Sequence, residues 1–335
     1  MKVTNTWPAE EIGPELSQLV KTLRGRFPSF EDFIEMKVDR LCQYCADTGR
    51  DTLVVAVSGG VDSALVVGLC ARAAARPESP VKRVVALSLP VYVDGATNQG
   101  SALSKAQEVC ETFGVELFVI PLQEAHKAME HLTVSALGEG DDWASGQLVS
   151  YLRTPAIYHT TSLLTAQGCA PIVVGTTNRD EGAYIGYFGK ASDGMVDVQL
   201  ISDMSKYYVR GCAESLGVPE SVLSAPPTGD MYDARLDEEV FGAPYDFVEL
   251  DAELRHRNDR KFVERLSSDA YRVFQDFKSN IENMHRYNGH KYLGASPAIH
   301  LDVIDVLFEG GWTYQVYSGK SFACEQPTHG DHKRW

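Results

Sequence analysis

The chain has 335 residues, of which 44% are hydrophobic and 23% are charged, a composition typical of a globular protein. Its formal net charge of −15 argues against sequence-independent binding of nucleic acid, so a pocket for an anionic nucleotide must be locally basic. No apolar run approaches the roughly twenty residues of a membrane helix, and the N-terminus lacks a signal-peptide core. The cysteines are scattered and odd in number, with Cys42 and Cys45 as the one C-x-x-C pair, which predicts a reduced, cytoplasmic protein in which these thiols pack.

Helical and strand patterns follow one another from the N-terminus onward. Residues 1 to about 50 predict a helical lead-in, because apolar side chains recur three and four positions apart within Phe30–Leu41. The apolar runs Leu53–Val57 and Pro171–Gly175 are typical of buried parallel strands, and helical patterns separate such runs along the chain. This βαβ rhythm predicts an α/β fold with a doubly wound parallel sheet.

The remaining boundaries follow from the same patterns. We expect the sheet and its helices to occupy residues 51–250, which form the catalytic domain, with an irregular stretch at 124–146. Beyond residue 250 the pattern becomes helical and charged. Residues 251–335 are therefore predicted to be a helical C-terminal segment and tail that belong to the same domain.

The motif Ser58-Gly-Gly-Val-Asp-Ser63 follows the first predicted strand and opens a helix. Two glycines let the backbone approach a ligand, and the N-terminus of the helix favours an anion there. Asp62 adds a carboxylate that can hold Mg²⁺ beside phosphate oxygens. The motif lacks the Gly-Lys-Ser/Thr ending of a Walker loop, and it resembles the pyrophosphate loop of enzymes that cleave ATP between its α and β phosphates. The alternative interpretation is an ordinary turn in which Asp62 or Ser63 caps the helix.

Further motifs narrow the resemblance to one family, the NAD synthetases of the ammonia-dependent type. In chain order they are Gly175-Thr-Thr-Asn-Arg-Asp-Glu181, Gly186-Tyr-Phe-Gly-Lys190, Asp193-Gly-Met-Val-Asp197, Ser205-Lys206, Pro226-Pro-Thr-Gly-Asp230, Asp237-Glu-Glu and His290-Lys291. The resemblance spans about residues 40 to 300. It implies a fold like that of the adenine nucleotide α hydrolases, with the ligands at the carboxyl ends of the strands.

The resemblance also implies an activity. Nicotinic acid adenine dinucleotide would attack ATP to give a carboxyl-adenylate and pyrophosphate, and ammonia would then displace AMP to give NAD. Mg²⁺ is the implied cofactor, ATP the co-substrate, and a homodimer the implied assembly, with no nucleic acid or membrane partner. The lead-in of about fifty residues is too short for a fused glutaminase, so ammonia is the expected donor, and a separate glutaminase partner remains an alternative source.

Roles for single residues are implied by the same match. Binding of ATP and pyrophosphate is implied for Ser58, Gly59, Gly60, Asp62, Ser63, Thr176, Lys206, Thr228, His290 and Lys291. Binding of Mg²⁺ is implied for Asp62 and Glu181. Binding of the dinucleotide is implied for Arg153, Tyr158, Lys190, Asp193 and Asp197, in a site that lies at a homodimer interface in the family.

Three positions depart from the family pattern. Tyr151 and Ser88 stand where the family usually carries arginine, and Ser192 stands where it carries glycine. Because two cations of the family pattern are missing, a related adenylating amide ligase that acts on a different carboxylate is an alternative interpretation. A non-catalytic nucleotide-binding homologue is a third possibility, which the retained metal ligands and lysine argue against.

Overall fold

The computed structural model of the chain describes residues 12–92, 99–229, 235–257, 260–291, 295–306, 313–317 and 319. Its centre is a parallel sheet of seven strands. These are β1 (Thr52–Ala56), β2 (Arg83–Ser88), β3 (Glu116–Val119), β4 (Pro171–Gly175), β5 (Val198–Gln199), β6 (Ala295–His300) and β7 (Thr313–Val316). They are ordered β3-β2-β1-β4-β5-β6-β7, and every neighbouring pair is parallel. The predicted α/β fold with a doubly wound parallel sheet is thereby confirmed.

Helices cover the two faces of this sheet. They are α1 (Pro14–Arg24), α2 (Phe30–Thr48), α3 (Val61–Ala74), α4 (Gln99–Phe113), α5 (Gln123–Leu137), α6 (Asp142–Ala166), α7 (Arg179–Gly182), α8 (Lys206–Leu216), α9 (Glu220–Leu223), α10 (Asp237–Phe241), α11 (Tyr245–Arg257), α12 (Arg260–Val263) and α13 (Ser268–Asn288). A 3₁₀ turn, Gly289–Lys291, follows α13. In the described part of the chain, none of the helices has the length and apolar character needed to span a membrane.

The core lies on both faces of the central strands, as the apolar runs of the sequence require. Leu53 and Val55 of β1 face one layer, which α2, α3 and α8 cover. Val54 points to the opposite layer, where α6 packs. Cys45 is fully buried in the first layer, and burial raises the pKa of its thiol to about 12, as expected of a thiol that serves packing.

Two stretches differ from the sequence prediction. The stretch 124–146, predicted to be irregular, forms α5 and the start of α6, which Asp141 caps by accepting a hydrogen bond from the backbone of Ala144. Ala125, Ala128, Met129 and Leu132 recur at helical spacing, which was the available signal for α5, although His126 is its buried residue. The segment 251–335, predicted to be helical, also contributes β6 and β7 to the edge of the sheet, and residues 320–335 lie outside the described residues.

The strand order creates a crevice beside β1. This strand pairs with β2 on one side and with β4 on the other, so the chain winds outward in both directions from the β1–β4 pair. The carboxyl ends of β1 and β4 therefore lie side by side, which is where parallel sheets of this type bind ligands. The loop from Ser58 to α3 and the loop from Thr176 to α7 face each other there.

Candidate active site

The loop after β1 is held in shape by its own serines. The backbone N–H of Ser58 donates to Ser63 Oγ over 3.3 Å, and the N–H of Gly60 donates to Ser58 Oγ over 3.3 Å. Gly59 has a φ of +84°, and a Cβ there would lie 2.5 Å from the carbonyl oxygen of Ala102 in α4. Only glycine fits that position without a shift of backbone. The loop thus presents an ordered anion-binding turn at the N-terminus of α3.

Beside this loop lies a buried cluster of charged groups. Lys206, the first residue of α8, donates from Nζ to Asp62 Oδ2 over 2.7 Å and to Glu181 Oε1 over 2.8 Å. The hydroxyl of Tyr245 lies 2.8 Å from Glu181 Oε1 and 2.9 Å from Asp237 Oδ2. The Lys206 ammonium also lies 5.2 Å from the centre of the Tyr245 ring. The structure therefore brings together Asp62, Glu181 and Lys206, as the motifs predicted, and adds Asp237 and Tyr245.

The electrostatics of the cluster favour a bound cation. Burial raises the pKa of Glu181 to about 7, with the charges of Asp62 and Asp237 adding to the rise and Lys206 opposing it. Burial alone would lower the pKa of Lys206, but Asp62, Glu181 and Asp237 outweigh it and raise that pKa above its ordinary value. Burial is also the main reason that the pKa of Asp237 is raised. Lys206 stays protonated, and three carboxylates share one positive charge.

The donor set fits a hard divalent cation. The side chains around Lys206 offer carboxylate and hydroxyl oxygens, which are the ligands of Mg²⁺ rather than of softer metals. In the described ranges, no three histidine, cysteine or acidic side chains converge closely enough to hold a metal by themselves. Mg²⁺ characteristically binds through one or two carboxylates together with substrate phosphates and water. Asp62 and Glu181, next to the Ser58 loop, suit that arrangement.

Asn178 is a further member of the site that the sequence analysis did not single out. Its side chain is fully buried at the N-terminus of α7 and contacts both Asp62 and the backbone of Glu181. The sequence signal that could have identified Asn178 is its position directly after Gly175-Thr-Thr. Asp237 begins the acidic Asp-Glu-Glu run, and Tyr245 lies in Gly242-Ala-Pro-Tyr-Asp246. Both segments resemble the family pattern, and neither residue was assigned a role from it.

The predicted dinucleotide-binding residues, called the second group below, lie on α6 and on the segment between α7 and β5. Asp197 accepts hydrogen bonds from the Tyr158 hydroxyl over 3.2 Å and from the backbone N–H of Val173 over 2.8 Å. Asp193 is exposed and accepts from the N–H of Gly189 over 3.1 Å. Two more members of the group are Lys190, which is exposed, and Arg153, which is half-buried on α6.

His290 and Lys291, expected at the ATP phosphates, lie beside this second group. Lys291 Nζ donates to the carbonyl oxygens of Gly186 and Phe188 over 2.9 and 2.8 Å. Lys190 Nζ lies 3.4 Å from the carbonyl oxygen of His290. The 3₁₀ turn after α13 thus packs against the segment that carries Lys190, and these contacts do not place it at the Ser58 loop.

The two predicted threonines lie on different segments. Thr176 is half-buried and immediately follows β4. Thr228 is exposed and forms an isolated antiparallel bridge with Leu236, the residue before Asp237. The backbone N–H of Asp237 donates to the carbonyl oxygen of Pro227 over 3.1 Å, so the Thr228 segment is anchored next to the acidic cluster.

Comparisons with known proteins identify relatives of the chain. The sequence model of the NAD synthase family matches residues 33–294. The NH(3)-dependent NAD(+) synthetase of Pseudomonas aeruginosa PAO1 is 31% identical over 252 residues, which are 72% of this chain and 87% of the relative. The enzyme of the same name from Archaeoglobus fulgidus is 31% identical over 238 residues, 68% of this chain and 88% of the relative.

Solved structures share the fold. NMN synthetase from Francisella tularensis matches with a TM-score of 0.62 at 24% identity, over 79% of this chain and 96% of that chain. NH3-dependent NAD synthetase from Campylobacter jejuni matches with a TM-score of 0.59 at 20% identity, over the same shares. At these sequence identities, the two structures support the fold of this chain and not its activity. From the sequence model and the relatives at 31% identity, we conclude that this chain belongs to the NAD synthase family.

Proposed function

We propose that the protein catalyses the ATP-dependent amidation of nicotinic acid adenine dinucleotide to NAD, with ammonia as the nitrogen donor. The observation that carries the proposal is the Asp62–Lys206–Glu181 cluster beside the Ser58 loop, at the edge of the sheet where ligands bind. The relatives named NH(3)-dependent NAD(+) synthetase support the choice of substrates.

The reaction needs charge neutralisation and close placement of two anions rather than a nucleophilic side chain. In the first step, an oxygen of the pyridine carboxylate attacks the α-phosphorus of ATP, and the bond to the leaving pyrophosphate breaks. In the second, ammonia attacks the carbonyl carbon of the carboxyl-adenylate, AMP leaves, and the amine loses a proton. The Ser58 loop and the N-terminus of α3 hold the negative charge that collects on pyrophosphate.

Lys206 has two roles in this scheme. Its ammonium lies between Asp62 and Glu181 in the structure and keeps their charges apart. Asp62 and Glu181 would hold Mg²⁺, which would supply neutralisation of phosphate charge and polarisation of the phosphoryl oxygens. The Lys206 ammonium, beside the Ser58 loop, is proposed to turn from these carboxylates to the phosphates of ATP. Thr176 and Thr228 are proposed to add hydroxyl contacts to ATP.

The second group is proposed to bind the dinucleotide. Its members are Arg153, Tyr158, Lys190, Asp193 and Asp197. The packing of the 3₁₀ turn against this group favours a role for His290 and Lys291 where ATP and the dinucleotide meet. The Lys291 ammonium offsets part of the repulsion between the two anionic substrates there.

A homodimer is proposed from the surface of α5 and α6. These adjacent helices expose large apolar side chains, including Leu132 at 65%, Leu137 at 89% and Trp143 at 52% of their surface. Such a patch is costly to leave in water. Light scattering after gel filtration should give twice the monomer mass. The proposed compartment is the cytoplasm, and a separate glutaminase remains a proposed source of ammonia.

The second candidate function is amidation of a different carboxylate substrate, which Ser88 and Tyr151 favour. Ser88 is buried at the end of β2, and the Tyr151 hydroxyl donates to Gln147 over 3.2 Å, so neither position supplies the positive charge usual in the family. The fold relative named NMN synthetase makes the corresponding mononucleotide acid the first alternative to test.

One experiment separates these functions. The protein is incubated with Mg-ATP, with ammonium or glutamine, and with either the dinucleotide acid or the mononucleotide acid, and the amide, AMP and pyrophosphate are quantified. We expect NAD, AMP and pyrophosphate in equal amounts with the dinucleotide acid and ammonium. Preferential turnover of the mononucleotide acid establishes the second candidate. Absence of ATP cleavage with either acid refutes both and favours a non-catalytic homologue.

A further inference from the structure

Asn178 joins the two sides of the crevice. It lies between the first turn of α3, which carries Asp62, and the first turn of α7, which carries Glu181. Its Nδ2 donates to Asp62 Oδ1 over 2.7 Å, and its Oδ1 accepts from the backbone N–H of Glu181 over 3.0 Å. The side chain is fully buried, so water does not compete for either contact. One amide thus fixes a carboxylate on one strand end and a helix turn on the next.

Only one orientation of this amide satisfies both neighbours, because a carboxylate must receive a donor and a backbone N–H must find an acceptor. The backbone around it is fixed as well. The N–H of Arg179 donates to the carbonyl oxygen of Met204 over 2.9 Å, and the N–H of Gly182 donates to the carbonyl oxygen of Asn178 over 2.9 Å. Asn178 therefore has no freedom to follow Asp62 if that carboxylate turns. It is a rigid donor.

The two oxygens of Asp62 have separate partners. Asn178 binds Oδ1, while Oδ2 contacts the ammonium of Lys206. If Lys206 turns to the phosphates of ATP, as the proposed function requires, Asn178 is the remaining hydrogen-bond partner of the Asp62 carboxylate among the described residues. The Asp62 side chain is 19% exposed, so without that partner it is free to rotate toward solvent.

We propose that Asn178 is a positioning residue, which holds Asp62 with Oδ2 turned toward the cation that Asp62 and Glu181 share. This inference rests on the proposed function, because it concerns the same metal-binding carboxylates. Asn178 does not touch substrate or metal in this scheme. It acts through Asp62, and its second contact, to the backbone of Glu181, keeps the two ligands at a fixed spacing.

The test is Asn178→Ser. Serine is a good N-cap and keeps an acceptor for the backbone of Glu181, but it has no amide to donate to Asp62. Asn280→Ser is the matched control, because the Asn280 amide donates over 2.6 Å to the carbonyl oxygen of Gly242, in the turn between α10 and α11, and not to Asp62. Two quantities are measured. They are steady-state kcat and KM, and the factor by which Mg²⁺ tightens binding of α,β-methylene-ATP in calorimetry.

For Asn178→Ser we expect kcat to fall about 10- to 100-fold, the range for a lost hydrogen bond to a charged group, with KM for the dinucleotide acid changed by less than about threefold. The tightening of the ATP analogue by Mg²⁺ should fall by a similar factor, while binding without Mg²⁺ stays unchanged. Asn280→Ser should behave as the parent protein. If Asn178→Ser does not fold, Asn178→Asp, which also retains the cap, should show the same selective loss.

Two results overturn the inference. One is an Asn178→Ser protein with the parent's kcat and the parent's response to Mg²⁺, which leaves Asn178 as a helix cap and nothing more. The other is equal weakening of analogue binding with and without Mg²⁺, which indicates general damage to the pocket. Failure of the proposed function shows itself differently, as absence of product from the parent protein, and the calorimetric comparison still decides the role of Asn178.

Discussion

Replacing Lys206 by methionine should destabilise the folded protein strongly. The Lys206 side chain is 7% exposed and is paired with Asp62 and Glu181, so its removal leaves buried carboxylates without a counter-ion. Removing one partner from a buried ion pair typically costs about 3–5 kcal/mol. Because the pKa of Glu181 is raised to about 7, this carboxyl becomes protonated at lower pH and the repulsion eases. We therefore expect a larger loss of stability at about pH 8 than at about pH 6.

Urea unfolding followed by circular dichroism measures this loss at both pH values. Lys190→Met is the control, since Lys190 is exposed and should change the free energy of unfolding by less than about 0.5 kcal/mol. A second test is the coupling between the two positions. Glu181→Gln should stabilise the Lys206→Met protein more than the parent at about pH 8, because in the parent Lys206 offsets part of the cost of the buried carboxylate. A loss below about 1 kcal/mol for Lys206→Met, or an equal effect of Glu181→Gln in both backgrounds, refutes the reasoning.

Three more predictions follow from single positions. Gly59→Ala should lower the free energy of unfolding by at least about 1–2 kcal/mol, because the residue has positive φ and no room for a Cβ. Gly60→Ala, at a residue with a φ of −89°, should leave stability unchanged in the same urea assay. Equal effects of the two substitutions would contradict the geometry. Tyr245→Phe removes the hydroxyl from Glu181 and should lower kcat by about tenfold; an unchanged kcat would show that the hydroxyl is dispensable. Burial lowers the pKa of His300 to about 3 from its ordinary value of 6.5, so below pH 6.5 the unfolded chain binds a proton that the folded protein excludes. Stability is therefore lost as the pH falls, by about 2 kcal/mol at about pH 5, and His300→Gln should remove that part of the pH dependence.

Much of the fold could be predicted because its strands are buried on both faces. Leu53–Val57 and Pro171–Gly175 are continuous apolar runs that end in turn residues, and such runs identify parallel strands without tertiary information. The edge of the sheet gave no such signal. β5 has two residues and β6 contains a proline, so these strands are recognisable only from the partners that the fold brings to them. The helix α5 escaped prediction because most of its side chains lie in solvent.

The site residues could be predicted where a polar side chain lies close to the end of a strand or at the start of a capped helix. Asp62 and Glu181 follow apolar strands directly, and Lys206 follows a helix-capping serine, so local sequence indicated each of them. Tyr245 lies in a segment that resembles the family pattern, but its role at the site could not be found in this way. It reaches Glu181 from 64 residues away, at the start of a helix whose position depends on the packing of the whole C-terminal half. No prediction from local residue pattern contains that contact.

The order of the strands also sets the order in which the protein can assemble during synthesis. β1 leaves the ribosome early, yet one of its neighbours is β4, so more than a hundred further residues must emerge before its second edge is covered. Parallel pairings of such long range are slow to form and leave apolar strand edges exposed meanwhile. Asp62 must likewise wait for Lys206, 144 residues later. A nascent chain therefore has the turn that is proposed to bind phosphate long before it has the Asp62–Lys206–Glu181 cluster, which is complete only when α8 has docked.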